Sequence, residues 1–333
     1  MMPAGALHPR TLLIVLLAAT PLVIWLALQT GELAMSPADL WTPDSLAHQV
    51  FVELRLPRLC LTLLAGALLG VTGAAVQAMF RNPLADPSLI GVSAGAGFAA
   101  VAMLVLGDAV VSQMGAVALP LSAFVGGLLA TGLVFRIGRG VDGVSVTTML
   151  LVGIAINAIA ASGISALKYF SDAFTLRQVV FWLMGGLQHQ GWQAVWTLLV
   201  ISVPVLAGLF SQGRILNLLL LGERQAALLG VSVMRCHRIL ILLSALGVGA
   251  VVAVGGMIGF VGLVVPHLVR LLIGPDNRYL LPLAALLGAL FLTLADIVAR
   301  VIISPAEMPL GVVTALVGGP FFLMMIVYRR RGV

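Results

Sequence analysis

Three observations on this 333-residue chain predict an all-α polytopic membrane fold. Hydrophobic residues make up 61% of it and charged residues 9%, a balance that no water-facing surface tolerates. Apolar runs of about 20 residues, the length of a helix that crosses a bilayer, recur from end to end. The basic residues fall mainly in alternate loops, as the positive-inside rule requires of a multi-pass chain. Ten spans are predicted, at about 11–29, 59–80, 88–106, 115–135, 144–167, 194–211, 238–254, 257–273, 280–302 and 308–328. The loops between them are too short to house another domain, so 1–333 reads as one transmembrane domain. With both termini cytoplasmic, that side collects thirteen of the eighteen Lys and Arg residues and a net +9, against −3 opposite. The overall +6 therefore reflects orientation rather than an affinity for nucleic acid.

The first span resembles a signal peptide but lacks a small-residue cleavage site after its apolar run, so a retained anchor is expected. In the second, Gly66, Gly70, Gly73 and Gln77 share one helix face. Such faces let helices approach closely in lipid, and Gln77 there should be a buried hydrogen-bonding residue. The fourth span repeats the device with Ser122, Gly126 and Ala130. Between them, Asn82–Gly91 forms a sharp re-entry in which Asp86 can cap the third span and Pro87 fits its first turn. Gly91-Val-Ser-Ala-Gly95 matches the nucleophile-elbow pattern, but an apolar helix is the wrong setting, and helix packing explains its glycines.

The fifth span carries a polar stripe, Asn157, Ala161, Ser165 and Lys168, that suits either interhelical hydrogen bonds or a pore lining. A short amphipathic helix, Thr175–Met184, follows on the outer side with Arg177 in its first turn, placed to act as a lid. Between the sixth and seventh spans, Leu218–Val231 reads as a short cytoplasmic helix among Arg214, Arg224, Arg235 and Arg238. Its small and apolar residues form a contact face that a cytoplasmic partner would read. The eighth span is interrupted by Gly259, Gly262 and Pro266, and parity of the termini requires it to cross. In the ninth, Thr293, Asp296 and Arg300 share a face. Asp296 and Arg300 suit an i, i+4 ion pair. Alternatively, Arg300 joins Arg55 and Arg58 as a docking site for a soluble partner with exposed carboxylates, on a face otherwise acidic.

Several function classes are disfavoured. Lys168 is the only lysine and no Gly-x-x-x-x-Gly precedes it, so the chain has no phosphate cradle and is not expected to be an enzyme. A channel with a docking helix and no motor suggests a separate ATPase. None of His8, His48, His189, His237 and His267 makes a metal pair by spacing. Cys60 and Cys236 fall at opposite faces and cannot pair. An ion-coupled secondary transporter would need titratable groups deep in the bundle, whereas Asp296 and Glu307 lie near its outer face.

Long motifs in order carry a resemblance across essentially the whole chain. They are Leu54-Arg-Leu-Pro-Arg58, the run from Gln77 to Gly97, Leu221–Gly230, Gly259–His267, Ala295–Arg300 and Glu307–Thr314. The chain resembles the FecCD family, permease subunits of type II ABC importers for cobalamin, ferric siderophores and haem. Within the family it is most similar to haem permeases of the HmuU type. The resemblance implies a homodimer in a bacterial inner membrane, with the substrate path at the dimer interface. It implies two cytoplasmic ATPase subunits and a periplasmic substrate-binding protein. No cofactor is expected on this chain, and ATP and Mg would reside on the ATPase. Arg55, Arg58 and Arg300 would dock the binding protein, and Gly222, Glu223, Ala227, Leu229 and Gly230 would couple to the ATPase. Asn82, Pro83, Leu84 and the Val141–Ser145 loop with Asp142 would form inner gates. Asn157, Ser165, Lys168 and Arg177 would line the path and its outer gate. No haem-ligand pair is legible along that path, so haem, siderophore and cobalamin all stay open.

Overall fold

The computed structural model of the chain describes residues 7–31, 45–140, 143–188 and 190–331. The helices are α1 (Pro9–Gln29), α2 (Leu46–Val50), α3 (Leu56–Met79), α4 (Val92–Leu106), α5 (Asp108–Met114), α6 (Ala118–Gly138), α7 (Val146–Tyr169) and α8 (Ala173–Met184). They continue with α9 (Trp192–Ser211), α10 (Gly213–Leu220), α11 (Glu223–Leu228), α12 (Val233–Gly255), α13 (Val261–Ile273), α14 (Asn277–Val301) and α15 (Leu310–Arg331). Ten of these are the expected spans: α1, α3, α4, α6, α7, α9, α12, α13, α14 and α15. One two-residue antiparallel pairing, Arg139–Gly140 with Gly143–Val144, brackets residues 141–142. Asp142, expected at an inner gate, lies outside the described residues, as does His189.

Helix α3 is the axis of the bundle. It buries Leu61, Ala65, Leu68, Val71, Ala74 and Val76 almost completely and packs along α14, α13, α12 and α9. Its glycine face is what permits the approach. A methyl group at Gly66 would collide with the Gly288 carbonyl of α14, one at Gly70 with that of Ala284, and one at Gly73 with that of Gly262 in α13. Backbone thus meets backbone where no hydrophobic effect drives association, and dispersion over the close contact does the work. Thr62 and Thr293 add a buried hydroxyl pair, 3.0 Å apart, between α3 and α14. A second seam joins α4 to α6, where Gly95 faces Gly126 and Ala130.

Helix boundaries depart from expectation where chemistry is concentrated. The Leu-Arg-Leu-Pro-Arg run is helical: α2 passes through a π-turn, Phe51–Arg55, straight into α3. Pro57 has no N–H and its ring crowds the carbonyl four residues back, and the wider turn just before it accommodates the ring. The predicted Leu218–Val231 helix is two helices, α10 and α11, because Gly222 sits between them at φ +111°. Gly91 is not inside the third span but at its start, at φ +82°, where a 3₁₀ turn Pro87–Ile90 hands over to α4. Asp86 caps that turn, accepting from Ser88 N at 2.7 Å.

Two spans are too short to cross alone. The thirteen residues of α13 rise about 20 Å and the fifteen of α4 about 22 Å, against about 30 Å of hydrocarbon. The missing depth is supplied by segments outside the α-helices, Gly256–Phe260 before α13 and Asn82–Gly91, with its 3₁₀ turn, before α4. Such backbone survives at membrane depth only where protein or a cavity shields it. Both segments line one cavity of about 360 Å³, with Asp86, Ser88 and Ser93 on one wall and Met257–Phe260 on the other. Ser93, the central residue of the elbow-like pattern, has no histidine beside it there.

Candidate docking and coupling sites

At one end of the bundle, the three arginines singled out in the sequence converge, and all three are occupied within the chain. Arg58, at the start of α3, donates from Nε and Nη2 to Asp296 of α14 at 2.9–3.1 Å. Its Nη1 donates to both carboxylate oxygens of Glu307 at 2.9 and 3.0 Å. Arg300, one turn beyond Asp296 on α14, pairs with it at 3.1 Å, as the i, i+4 spacing allows. Arg300 also donates to the carbonyls of Ala27 and Thr30, at 3.0 and 2.8 Å, while Arg55 donates to that of Leu28. Two arginines therefore cap the C-terminal end of α1, where unpaired carbonyls and the helix dipole favour positive charge.

The accessibility of these groups is uneven. Asp296 is 2% exposed, Arg300 7% and Arg58 15%, whereas Glu307 is 34% exposed. Partial burial pushes the Glu307 carboxyl up, but the hydrogen bonds and charge of Arg58, helped by a hydrogen bond from Gln188, hold it below the usual carboxylate range. Glu307 and Gln188 were not singled out as site residues. Their partnership joins positions far apart in the chain, and no local pattern announces it.

At the other end lie the residues expected to couple and to gate. Helix α11 is anchored by buried Ala226 and presents Ala227, Leu228, Leu229 and Gly230 outward, with Leu228 83% and Leu229 61% exposed. Its end is a Schellman motif: Val231 N reaches Ala226 O and Gly230 N reaches Ala227 O, both at 3.0 Å, with Gly230 at φ +85°. Glu223, half-buried at the helix start, comes within 3.9 Å of Nε2 of His237, a ring 1% exposed at the base of α12. The Asn82 turn sits nearby. Arg81 adopts φ +49°, Asn82 Oδ1 accepts from Leu84 N at 3.0 Å, and a methyl group on Gly222 would lie 3.9 Å from Arg81 Nη1. Leu7 N donates to Leu272 O at 2.7 Å, so the first helix starts at this same end.

Beneath the turn, Gln77 behaves as its place on the glycine face suggests. Its amide donates to Leu263 O at 3.1 Å and its carbonyl accepts from Arg270 at 2.8 Å. A further clasp was not foreseen. Asn217 of α10 donates to Asp276 at 2.6 Å and accepts from Asn277 N at 2.8 Å, tying the platform of α11 to the start of α14. Asp276 also receives Arg278 at 2.6 Å. The Arg278 hydrogen bond, then those of Asn217 and the Arg278 backbone, bring its carboxyl down to about 2.

The stripe on α7 is only partly a protein-facing surface. Asn157 donates to Ser88 O at 3.5 Å, Ser165 bonds back to Ala161 O at 2.9 Å, and Lys168 is half-buried. Most of α7 stays open: Leu151, Ile154 and Ile159 are 62%, 57% and 71% exposed. Asp172 caps α8 by accepting from Phe174 N and Thr175 N at 2.8 and 3.1 Å, so that helix begins earlier than Thr175, and Arg177 is exposed on it. The structure does not bring Arg177 into the arginine cluster.

Comparison with known proteins fits this architecture. The sequence model of the FecCD transport family matches residues 16–328. The chain is 42% identical over 333 residues to the hemin transport system permease protein HmuU of Yersinia pestis, covering 98% of each. It is 44% identical over 302 residues to the vitamin B12 import system permease protein BtuC of Vibrio cholerae, covering 91% of this chain and 89% of the relative. Among solved structures, an inward-facing putative metal-chelate type ABC transporter superposes with a TM-score of 0.87 at 33% identity. That match covers 96% of this chain and 100% of the other.

Proposed function

The chain belongs to the FecCD transport family, and from that premise we propose that it is the permease of an ATP-driven importer that carries haem from periplasm to cytoplasm. The observation that carries the importer reading is α11: a short helix with an apolar, exposed tip, set between spans and held by a glycine cap, in a chain with no nucleotide-binding motif. Such a tip suits the groove of a soluble ATPase subunit. Two copies of the chain, each with an ATPase below it in a bacterial inner membrane, would leave the open face of α7 to line a shared path. Asn157, Ser165 and Lys168 would face that path, with α8 and Arg177 at its outer mouth. The turn at Asn82, Pro83 and Leu84 would gate its inner end. ATP with Mg on the partner would close the two ATPases, and α11 would pass that motion through α10 to the gate. Arg55, Arg58 and Arg300 would orient the substrate-binding protein at the opposite end.

Haem is favoured as cargo because the likeness to the hemin permease runs over 98% of both chains. Cobalamin is the second reading, favoured by 44% identity to the vitamin B12 permease over a shorter stretch. A ferric siderophore is the third. The test is a reconstituted complex presented with binding proteins loaded with hemin, cobalamin or a ferric siderophore. Stimulated ATP hydrolysis and uptake with hemin alone is expected; stimulation by cobalamin and not hemin would overturn the choice of cargo.

A further inference from the structure

The arginine cluster holds two carboxylates of unlike standing. Asp296 is 2% exposed and sits between Arg58 and Arg300, so no outside group can take its place. Glu307 is 34% exposed and accepts hydrogen bonds from Nη1 at the outward edge of Arg58. Arg55 and Arg300 commit donors to the carbonyls of Leu28, Ala27 and Thr30 and cannot turn outward without uncapping α1. Among the described contacts, Nη1 of Arg58 is thus the donor in the cluster whose partner solvent can reach.

We propose that Glu307 is an internal stand-in for an acidic side chain of the soluble binding protein, holding the outward edge of Arg58 until docking displaces it. The proposal rests on the docking role assigned above to Arg58. Exchange of one carboxylate for another on Nη1 of Arg58 replaces one charge-assisted contact with another of the same kind and costs little, which suits a contact that must form and break once per cycle. The same displacement loosens the approach to α15, which begins three residues after Glu307.

The experiment uses the complete transporter in lipid nanodiscs and its purified binding protein. Glu307→Gln removes the competing charge and should tighten binding about fivefold, the worth of one exposed ion pair, while Arg58→Gln should weaken it. Glu307→Asp keeps the charge but shortens the reach, and should tighten binding by less, which preserves the test if the first variant assembles poorly. If Arg58→Gln weakens binding but neither Glu307 variant tightens it, docking at Arg58 stands and the stand-in role is overturned. If no variant alters binding, the docking role itself falls and the proposal with it.

Discussion

Asp296→Asn separates a buried ion network from a surface one. Asp296 is 2% exposed and accepts from Nε and Nη2 of Arg58 while pairing with Arg300. Neutralising it leaves two poorly exposed guanidinium groups without their shared counter-charge. Breaking a buried pair in this way costs about 3–5 kcal/mol, because a charge stays behind in a low-dielectric setting. The same change at Glu307, 34% exposed and facing a single arginine, should cost only about 0–1 kcal/mol. Purified protein in mixed micelles, unfolded by increasing detergent denaturant and followed by tryptophan fluorescence, measures both. The decisive comparison is the pair of variants within one preparation, since the reference state in micelles is common to them. A third variant, Asp296→Asn with Arg300→Lys, keeps a cation at the end of α1 and should not recover the loss, because Arg58 and the cation at 300 still lack their shared counter-charge. Equal, small effects of Asp296→Asn and Glu307→Gln would refute the assignment of the buried carboxylate as the keystone.

Three other outcomes follow from particular contacts. Gly73→Ala should lower stability by about 1–3 kcal/mol or block assembly, because the new methyl meets the backbone of Gly262 and no side chain can yield; the same denaturation assay reads it. Leu229→Glu, at an exposed tip, should leave folding and insertion intact but abolish stimulation of the ATPase partner, whereas wild-type uptake by this variant would remove α11 from the coupling role. Asp276 has a carboxyl lowered to about 2, so the clasp to Asn217 and Arg278 stabilises the folded state above the ordinary carboxylate pKa of 3.8 and weakens as pH falls from there toward 2. Protection of the amides in α10 and α11, taken relative to their intrinsic exchange at each pH, should therefore fall across that window, and Asp276→Asn should remove that change.

How much of this was legible in the sequence depends on the range of each interaction. Helical periodicity is local, so the ten spans and the face shared by Gly66, Gly70 and Gly73 could be read directly, and the structure sets that face against Gly288, Ala284 and Gly262. The eighth span showed its weakness through Gly259, Gly262 and Pro266. It did not show that the break falls just before α13, with Phe260 at φ +66°, because nothing in a phenylalanine advertises a left-handed backbone. The π-turn before Pro57 was likewise hidden, since a proline after a charged run reads more naturally as a loop.

The arginines teach the sharper lesson. From the sequence, Arg55, Arg58 and Arg300 stand out on a face otherwise acidic, and that contrast suggests groups waiting for a partner. Folding gives two of them α1 carbonyls and the third a pair of carboxylates contributed from some 240 residues away. A guanidinium has five N–H donors in a fixed fork, so it can cap a helix, brace a carboxylate and still present an edge. Intramolecular engagement is therefore not an alternative to recognition. It orients the side chain, which a free surface arginine would have to do at an entropic cost. The arginine best prepared to receive an acidic partner is the one already holding an exchangeable acid, and in this cluster that is Arg58, with Glu307 as the acid it can give up.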